Sequence, residues 1–383
     1  MIATEAWVLH MGLPDSNAPG ELSLEEYQFA EPIGDEVLAE PLFGCWEGNM
    51  AHALSRKPVD ICRLRCEKRV VLGNAGVVRV LQVMQPDETV SEGRFYVVAP
   101  LGKLDSQGYP TRIFGYDHPG TVGLLAKQTK LRRDQLVPIP ADTRFDLRQW
   151  AASSVRMACA WDNWKVAWAC WRSQMDGDSA PPHVWAWGGG VALAELLLAK
   201  QEGCRVAMIA SSDRRLRLIE DLGVRPIDRR LFSELRYDDC RFAADAGYRE
   251  CYLRAERVFL EIVREATDGE RISIFIDNIG APVIRATLKA MARQGVVTTL
   301  GWEAGTEIRF NRAVECINRH IHVHTHGARY AESLTAAKYA ERTGWIPPLP
   351  DEVWTWDRIP ELARRFEKGE VESYFPVFQV NTE

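Results

Sequence analysis

The sequence predicts an α/β protein in which a β-rich domain precedes a doubly wound domain with a parallel sheet. Three observations favour this fold class. Runs of β-branched and aromatic residues dominate residues 1–150. From about Asp146 onward, strand-like apolar runs alternate with helical patterns, which is typical of βαβ units. The chain of 383 residues is long enough for two domains of ordinary size.

The composition is that of a globular protein and gives no reason to expect a nucleic-acid or membrane partner. Apolar residues make up 46% of the chain and charged residues 26%, and the net charge of −6 is not gathered into long blocks. The N-terminal stretch lacks the pattern of a signal peptide, and no long uninterrupted apolar stretch predicts a membrane span. The nine cysteines are scattered without a CxxC pair, which indicates reduced thiols. We therefore expect a cytoplasmic protein.

The first domain is predicted to be β-rich because strand-like runs are separated by turn sequences. Residues 69–84 and 93–100 are such runs, and "QPDE", "LDSQGYP" and "DHPG" supply turn chemistry. The tail of the chain ends in a short predicted strand that we expect to pack back on this domain. The predicted boundaries are 1–150, joined by 327–383, for the first domain and 151–326 for the second.

The second domain opens with a helical pattern over residues 146–174, which contain no proline or glycine. Its tryptophan-rich part, residues 160–171, either lines a pocket for an apolar or flat substrate or packs as an ordinary buried helix. The following alternation of elements predicts a buried parallel sheet. The predicted strands are 183–187, 205–212, 272–280 and 296–302, and the predicted helices are 191–203, 213–223 and 282–295. An irregular, charged helical stretch over residues 229–268 precedes the third strand.

Three consecutive glycines stand between the first of these strands and the helix that follows it. The first turn of a helix has unpaired N–H groups, and residues without side chains let a diphosphate approach them. Gly188 and Gly190 supply the first two positions of G-x-G-x-x-G, whereas Leu193, or Ala192 in a shortened loop, takes the third. A tight turn without a ligand is the alternative. The predicted cofactor-binding residues of this loop are Gly188, Gly189, Gly190 and Val191.

The end of the second strand indicates which nicotinamide coenzyme binds. Sites that prefer NAD place an acidic residue there, but this strand ends in Ser211 and Ser212, and Arg214 and Arg215 follow. Hydroxyl and guanidinium groups can receive a 2′-phosphate, so the sequence favours NADPH. We expect Asp213 to cap the next helix. If the strand runs one or two residues longer, Asp213 becomes a ribose ligand instead.

Five segments occur in a characteristic order along the chain: "PLFGCWEGNMAHAL", "VVLGNAGVVRVLQV", "GTVGLLAKQTKLRRDQLVPIP", "WAWGGGVALAELLLAK" and "FIDNIGAPVIRATLKAMARQGVVTTLGW". Through them the whole chain resembles the medium-chain dehydrogenase/reductase superfamily. The resemblance implies a GroES-like catalytic domain, a Rossmann domain and a nicotinamide cofactor, and the superfamily usually dimerises.

Within the superfamily, the sequence is most similar to the crotonyl-CoA carboxylase/reductase branch of enoyl-thioester reductases. The charged helical segment before the third strand, "RLFSELRYDDCRF" and the passage from "FNRAVECINRHIHVHTHG" to "GWIPP" carry this likeness. Two departures limit it. Residues 120–128 lack the glutamate that the branch carries near its pocket, so we do not expect carboxylation. No cluster of Lys and Arg predicts a site for the phosphates of coenzyme A.

The resemblance also bears on metal dependence. Zinc dehydrogenases of this superfamily bind catalytic zinc through a Cys, the His of a G-H-E triplet, and a further Cys or acid. Here the triplet reads Gly73-Asn74-Ala75, and Cys45 or Glu47 takes the place of the first ligand. The closely spaced cysteines of a structural zinc lobe are missing. We therefore predict hydride transfer without zinc, and no metal site.

A zinc-independent reductase needs hydrogen bonds that polarise the substrate and a group that supplies a proton. By resemblance, the candidates are His326, which aligns with the branch's "GSH", and Asn49, which lies in a substrate-facing loop. His52 matches the proton-relay histidine of zinc dehydrogenases. Each has the alternative of being an ordinary hydrogen-bonded residue. The strand-like stretch 320–326 carries a histidine at every second position, which suggests a ladder on one face of the strand: His320, His322, His324 and His326. Such a ladder more often borders an interface or a cleft than binds a metal.

The nicotinamide is expected near the ends of the third and fourth strands of the second domain. Arg156 and Cys159 are expected where the cofactor- and substrate-facing helix of the superfamily begins. Asn311 and Arg312 match the "NR" of the branch, so we expect them either to bind the cofactor or to stabilise the fold. The remaining predicted cofactor-binding residues are Asn278, Gly280, Gly301, Trp302 and Asn311.

Three functions are compatible with these features. The first is an NADPH-dependent, zinc-independent reductase of an activated C=C or C=O bond in a small-molecule substrate. The second is a metal-independent, NADP-linked alcohol or amino-alcohol dehydrogenase of specialised biosynthesis. The third is a cofactor-binding relative that has lost catalysis. The direction of turnover separates the first two, and tight NADPH binding without turnover would support the third.

Overall fold

The computed structural model describes residues 1–13, 18–86, 88–176, 179–301, 303–305 and 307–382. The chain divides into two compact units, Met1–Ala158 with Arg329–Glu383 and Cys159–Ala328. Within the described ranges, no helix is long and apolar enough to cross a membrane.

The strands and helices are numbered in chain order. The strands are β1 (Ile2–His10), β2 (Leu22–Phe29), β3 (Glu36–Cys45), β4 (Arg69–Val71), β5 (Gly76–Val83), β6 (Phe95–Val98), β7 (Leu101–Leu104), β8 (Pro110–Ile113), β9 (Thr129–Arg132), β10 (Leu136–Pro138), β11 (His183–Trp187), β12 (Arg205–Ala210), β13 (Arg225–Asp228), β14 (Ile272–Asp277), β15 (Met291–Thr299), β16 (His322–Thr325), β17 (Val353–Trp354) and β18 (Val377–Gln379). The helices are α1 (Gly48–Ser55), α2 (Ile61–Arg65), α3 (Leu147–Arg172), α4 (Gly190–Gln201), α5 (Asp213–Asp221), α6 (Asp239–Ala244), α7 (Ala246–Ala266), α8 (Ile284–Ala290), α9 (Ser333–Thr343) and α10 (Ile359–Glu367).

The first unit is built on antiparallel sheets. One sheet has the order β2-β1-β4, and a larger one has the order β10-β6-β5-β3-β18-β17, with β9 also paired to β3. Strand β3 alternates between partly exposed and buried positions at first and is buried throughout from Pro41 to Cys45. The C-terminal strand β18 pairs with this buried end, placing Val377 opposite Cys45. The end of β3 therefore lies inside the unit with a strand on each side.

The second unit contains a six-stranded parallel sheet of order β13-β12-β11-β14-β15-β16. Counted within the unit, this is the order 3-2-1-4-5-6 of doubly wound dinucleotide-binding sheets. Every residue of β11 is buried, as expected for a strand covered on both faces. The strand order reverses between β11 and β14, and in such sheets ligands bind beyond the carboxyl ends of the strands at that point.

The α/β fold class predicted from the sequence is confirmed, but two elements of the second unit differ from prediction. Strand β13 was not predicted, because its four residues include a proline and a terminal aspartate. The helix predicted over 282–295 ends at Ala290, and β15 begins at Met291. Met291 pairs with Ile272 before a register shift, and Gln294 takes a left-handed φ of 61°. The bulged start of β15 carries no turn residue that would separate it from the helix.

Candidate functional site

The glycine turn after β11 leaves backbone exposed at the N-terminus of α4. Gly188 has a φ of +131°, a conformation that favours glycine, and a Cβ there would lie 3.2 Å from Cβ of Asn278. Gly189 is the exposed N-cap, and a Cβ added to it would meet nothing within 4 Å. Gly190 and Val191 begin the helix, whose first N–H groups are not capped by a side chain of the N-cap residue. This turn fits a diphosphate, since both unpaired donors and space are present.

The side chain of Asn278 contacts neighbouring loops at the carboxyl edge of the parallel sheet. Its Oδ1 accepts hydrogen bonds from the backbone N–H groups of Leu300 at 3.0 Å and Gly301 at 3.2 Å. A Cβ at Gly301 would lie 3.0 Å from the carbonyl oxygen of Asn278, so a side chain there would require the backbone to shift by a few tenths of an ångström. The loops after β11, β14 and β15 thus meet at the Asn278 side chain. The predicted residue Trp302 lies outside the described residues.

A buried carboxyl group shapes the turn that contains Gly280. Asp277 accepts hydrogen bonds from the N–H groups of Ile279 at 3.1 Å and Gly280 at 2.9 Å, and from Oγ1 of Thr287 at 3.0 Å. Thr287 in turn accepts from Nε1 of Trp187 at 2.8 Å. Burial raises the pKa of Asp277 to about 6, against the opposing effect of these hydrogen bonds. Asp277 was missed in the sequence because it reads as the polar end of an apolar strand.

The two predicted serines lie between the end of β12 and the start of α5. The strand ends at Ala210, Ser211 is exposed, and α5 begins at Asp213. Oγ of Ser212 accepts a hydrogen bond from N–H of Arg215 at 3.2 Å and so caps the helix. The expectation that Asp213 is the N-cap is therefore wrong, because Asp213 is the first residue of the helix and Ser212 caps it. In this cap the Ser212 hydroxyl acts as an acceptor, and a hydroxyl can also donate its hydrogen.

Cations outnumber carboxylates around this end of β12. Arg230 follows β13 and donates hydrogen bonds at 2.7 Å to Asp213 and at 2.7 Å to Asp228. Arg214 and Arg215 stand in the first turn of α5, directly after Asp213. The Asp213 carboxylate is therefore paired with a guanidinium group. The pairing makes Asp213 a weaker ligand for a ribose hydroxyl and reduces its repulsion of a phosphate group.

His326, predicted as a catalytic residue, is paired with a buried acid. Its Nε2 lies 2.6 Å from Oδ2 of Asp162 on α3, and the two side chains are 6% and 0% exposed. Its backbone N–H donates to the carbonyl of Thr299 at the end of β15. A carboxylate at one ring nitrogen fixes the orientation and tautomer of an imidazole, as in other His–acid pairs. The polar pair Asp162-Asn163 inside an otherwise apolar, tryptophan-rich helix was the available signal.

The neighbouring histidines do not form the ladder of four that the sequence suggested. His320 precedes β16 in a left-handed conformation and accepts from Arg293, while His322 contacts Oε1 of Gln174 at 2.9 Å. The rings of His324 and His326 pack edge to face at 5.3 Å. Burial lowers the pKa of His324. Within the described part of the chain, no group of three or more His, Cys, Asp or Glu residues is placed to hold a metal ion.

In the first unit, an arginine contacts the sulfur of Cys45, one of the two residues expected at the place of the first zinc ligand. Arg156 donates from Nη1 to Sγ of Cys45 at 2.9 Å and from Nη2 to the carbonyl of Trp46. Cys45 is completely buried, and burial raises the pKa of its thiol despite the nearby guanidinium group. A guanidinium cation at this distance repels a divalent cation, so Cys45 does not fit as a zinc ligand.

Glu47 and Asn74 lie beside this pair and have unused hydrogen-bonding atoms. Oε2 of Glu47 accepts from the N–H of Asn49 at 3.1 Å and caps α1, whereas its Oε1 is buried without a partner. Burial raises the pKa of Glu47, while the Asn49 N–H, the charge of Arg156 and the Asn74 side chain act in the other direction. The Asn74 amide is completely buried and interacts with Glu47, although neither of its polar atoms makes a hydrogen bond of normal geometry with the described residues. The residues present do not form the three-ligand set that catalytic zinc requires.

The other predicted site residues occupy separate positions. Asn49 and His52 are half-buried on α1 of the first unit, and burial lowers the pKa of His52. Asn311 is exposed, and its Oδ1 accepts from the N–H of Val314 and caps a short π-helical turn. In the tryptophan-rich part of α3, the ring of Trp168 stacks on two other indoles at 5.4 and 5.2 Å, so part of this segment packs on itself.

The chain was compared with family models, curated proteins and solved structures. No family model and no curated protein matches it. A crotonyl-CoA carboxylase/reductase, AntE, in complex with NADP superposes with a TM-score of 0.78 at 19% identity, over 99% of this chain and 95% of that chain. The 2-octenoyl-CoA carboxylase reductase CinF, in complex with NADP and 2-octenoyl-CoA, gives 0.78 at 20% identity, over 98% of this chain and 87% of that chain.

An NAD-dependent alcohol dehydrogenase gives a TM-score of 0.73 at 19% identity, over 98% of this chain and 100% of that chain. These similarities extend over nearly the full length of each chain. The fold expected from the resemblance to medium-chain dehydrogenases and reductases is therefore confirmed: the protein has the fold of crotonyl-CoA carboxylase/reductases and alcohol dehydrogenases.

Proposed function

We propose that the protein is an NADPH-dependent oxidoreductase that reduces an activated C=C or C=O bond of a small molecule without zinc. The observation that carries this proposal is the glycine turn at Gly188–Gly190, which stands at the reversal point of a sheet with the order of dinucleotide-binding proteins. The NADP named for AntE and CinF supports the choice of coenzyme.

The described residues divide into three groups that would hold the coenzyme, which supplies a hydride when bound. The N–H groups at the start of α4 would receive the diphosphate, and the hydroxyl and guanidinium groups after β12 would receive the 2′-phosphate. Two features would border the nicotinamide. They are the turn shaped by Asp277 and the clamp in which Asn278 Oδ1 holds the N–H groups of Leu300 and Gly301. The proposed residues are Gly188, Gly189, Gly190 and Val191, then Ser211, Ser212, Arg214 and Arg215, and then Asn278, Gly280 and Gly301.

Reduction of a C=C bond conjugated to a carbonyl adds a hydride at the β carbon and moves an electron pair to the carbonyl oxygen. A proton must then reach the α carbon, and we assign it to His326, whose ring is oriented by Asp162. The Asp162 carboxylate at Nε2 orients the imidazole ring for this step. Asn49 and His52 on α1 are assigned to the substrate side of the first unit.

Independence from zinc is supported by the donor set in the first unit. The sulfur of Cys45 is occupied by the Arg156 guanidinium group, and an amide, Asn74, stands where zinc dehydrogenases have an imidazole. A cytoplasmic location is supported by the nine free thiols, and a homodimer by the resemblance to the superfamily.

The decisive test is coenzyme binding by variants of the glycine turn. Gly189→Leu adds a side chain where a Cβ meets no atom within 4 Å, so it blocks the diphosphate without disturbing the fold. Gly247→Leu, at an exposed position of α7, is the matched control. Fluorescence titration should show tight NADPH binding by the wild type and the control and a large loss in Gly189→Leu. Equal binding by both variants contradicts the proposal.

An alcohol dehydrogenase working in the oxidative direction is the second candidate, favoured by the similarity to the NAD-dependent alcohol dehydrogenase. Steady-state assays with NADPH and enals, enoyl thioesters or aldehydes, and with NADP and alcohols, separate the two directions. Tight NADPH binding without turnover on either panel supports a non-catalytic relative instead.

A further inference from the structure

The residue that follows Asp162 on α3 is also a completely buried polar residue. Nδ2 of Asn163 donates a hydrogen bond to Oε2 of Glu195 on α4 at 2.8 Å, and Oδ1 of Asn163 accepts one from Oγ1 of Thr298 on β15 at 2.8 Å. Asn163, Glu195 and Thr298 are all 0% exposed. The amide thus joins α3 to α4 and to β15 in the interior of the second unit, and the proposed reaction gives it no role.

The contacts of Asn163 and of Asp162 lie side by side. Asp162 contacts Nε2 of His326 at 2.6 Å, and the backbone N–H of His326 donates to the carbonyl of Thr299, the residue after Thr298. Two adjacent residues of α3 are therefore attached to the end of β15 and to the residue that follows β16, its neighbour in the sheet. Adjacent residues are about 100° apart around a helix, so two such contacts prevent α3 from rotating about its own axis.

Glu195 anchors Asn163 to α4, the helix whose N-terminus is proposed to receive the diphosphate. Its Oε1 is buried without a partner, and no cation of the described residues pairs with the carboxyl group. Burial raises the pKa of Glu195 well above its usual value, against the hydrogen bond from Asn163. A buried polar network of this kind adds little stability over apolar side chains of the same shape, but it permits fewer arrangements. The contacts of Asn163 therefore fix position more than they stabilise the fold.

We propose that Asn163 is a positioning residue for proton transfer by His326. By binding Glu195 and Thr298, its amide sets the place of Asp162, and through Asp162 the place of the imidazole, relative to the helix that begins at the glycine turn. This inference rests on the proposed function for its catalytic meaning, and it extends that function to a residue that acts only through its neighbours.

The first test is proton NMR of the full chain. The imidazole N–H of His326 gives a low-field resonance when it is hydrogen-bonded to a carboxylate, and loss of the resonance in His326→Gln assigns it. Asn163→Leu should shift or broaden this resonance, because the pair with Asp162 is no longer held at a fixed distance. Thr298→Val should do the same, since valine has nearly the shape of threonine but lacks the hydroxyl group. Thr298→Ser keeps a hydroxyl group and should keep the wild-type resonance.

The second test is steady-state kinetics with NADPH and crotonaldehyde. Asn163→Leu and Thr298→Val should lower kcat by about 10- to 100-fold, as for a misplaced catalytic group, while KM stays within about twofold of wild type. Thr298→Ser should recover kcat to within about threefold of wild type.

Thr267→Val is the matched control for the loss of a buried hydroxyl group. Thr267 is also 0% exposed and lies in the second unit, at the end of α7. Its Oγ1 donates to the carbonyl of Val263 at 2.8 Å and accepts from the N–H of Arg271 at 2.9 Å. Thr267→Val should therefore lose stability as Thr298→Val does, but keep the resonance and kcat of wild type.

The outcomes that overturn the proposal are distinct from those that refute the proposed function. A wild type without the resonance, an unchanged resonance or kcat in Thr298→Val, or an equal loss of kcat in Thr267→Val overturns the proposal. If Asn163→Leu does not fold, which far-UV circular dichroism reveals, Thr298→Val decides alone. Absence of NADPH turnover by the wild type refutes the proposed function, and the resonance of the variants then still shows whether Asn163 positions the pair.

Discussion

Oδ2 of Asp162 lies 2.6 Å from Nε2 of His326, and the histidine side chain is almost as buried as the acid. The two residues are 164 positions apart, so the pair exists only because α3 and the end of β16 meet in the second unit. An imidazole held in this way can pass a proton from a fixed position.

Asp162→Asn should lower kcat by about 10- to 100-fold with little change in KM, because the amide no longer fixes the tautomer of His326. Steady-state kinetics with NADPH and crotonaldehyde would measure the effect. His322→Gln alters an exposed histidine of the same strand and is the control, with near wild-type kinetics expected. A rise in KM alone would show that Asp162 does not act through proton transfer.

Ser212→Asp should change the coenzyme preference. Aspartate caps a helix as well as serine does, so α5 is preserved, while the added carboxylate repels the 2′-phosphate and suits a ribose hydroxyl. The ratio of NADPH to NADH affinity should fall by about 10- to 100-fold, measured by fluorescence titration. Ser173→Asp, exposed after α3, adds the same charge elsewhere and should leave the ratio unchanged. An unchanged ratio in Ser212→Asp would place the 2′-phosphate elsewhere.

Asp277 should make stability depend on pH. Burial raises its pKa from 3.8 to about 6 in the folded protein, so its stabilising contribution is complete below about pH 4 and is lost as the pH rises through 6. Relative to Asp277→Asn, wild type should lose about 3 kcal/mol of unfolding free energy across this interval. Urea denaturation of both proteins from pH 4 to 7.5 would measure the difference. Parallel curves would mean that the carboxyl group is not perturbed.

Asn278→Ala should loosen the carboxyl edge of the parallel sheet. It removes the acceptor of two backbone N–H groups, those of Leu300 and Gly301, which we expect to cost about 2 kcal/mol of unfolding free energy. Asn278→Asp keeps an acceptor oxygen and should recover most of this loss. Thermal unfolding and NADPH titration of both variants test the clamp. Equal destabilisation by the two substitutions would contradict the role of Oδ1.

Treatment with a chelator such as 1,10-phenanthroline should leave turnover unchanged, because the guanidinium group that contacts Cys45 repels a divalent cation. The same protein should contain less than stoichiometric zinc by elemental analysis. Loss of activity that added zinc restores would show that the donor set binds metal in spite of the guanidinium group.

Much of the second unit could be predicted because its signals are local. Apolar runs and the glycine turn predicted β11, β12, β14 and α4, since a buried parallel strand and a phosphate-binding turn each have a composition of their own. The bulged start of β15 could not be separated from α8, because its residues suit either state and long-range pairing with β14 decides between them.

The polar partners of the candidate site were harder to predict. Asp162, Asp277 and Arg156 are polar residues in largely apolar segments, and each acts through a residue that is distant in sequence or that becomes close only through a turn. The sequence marked His326 and Asn74 by their place in a motif. What they contact depends on packing, which no local pattern encodes.

Strand β18, near the C-terminus, pairs with the end of β3 at the place where Cys45 is buried. The ring of Phe378 lies so close to Gly44 that any larger residue there would clash with it. During synthesis, the surroundings of Cys45 therefore cannot be completed until the last-made strand, β18, has been added. A nonsense mutation shortly before Val377 would spare almost every residue discussed and still yield an inactive, protease-sensitive product.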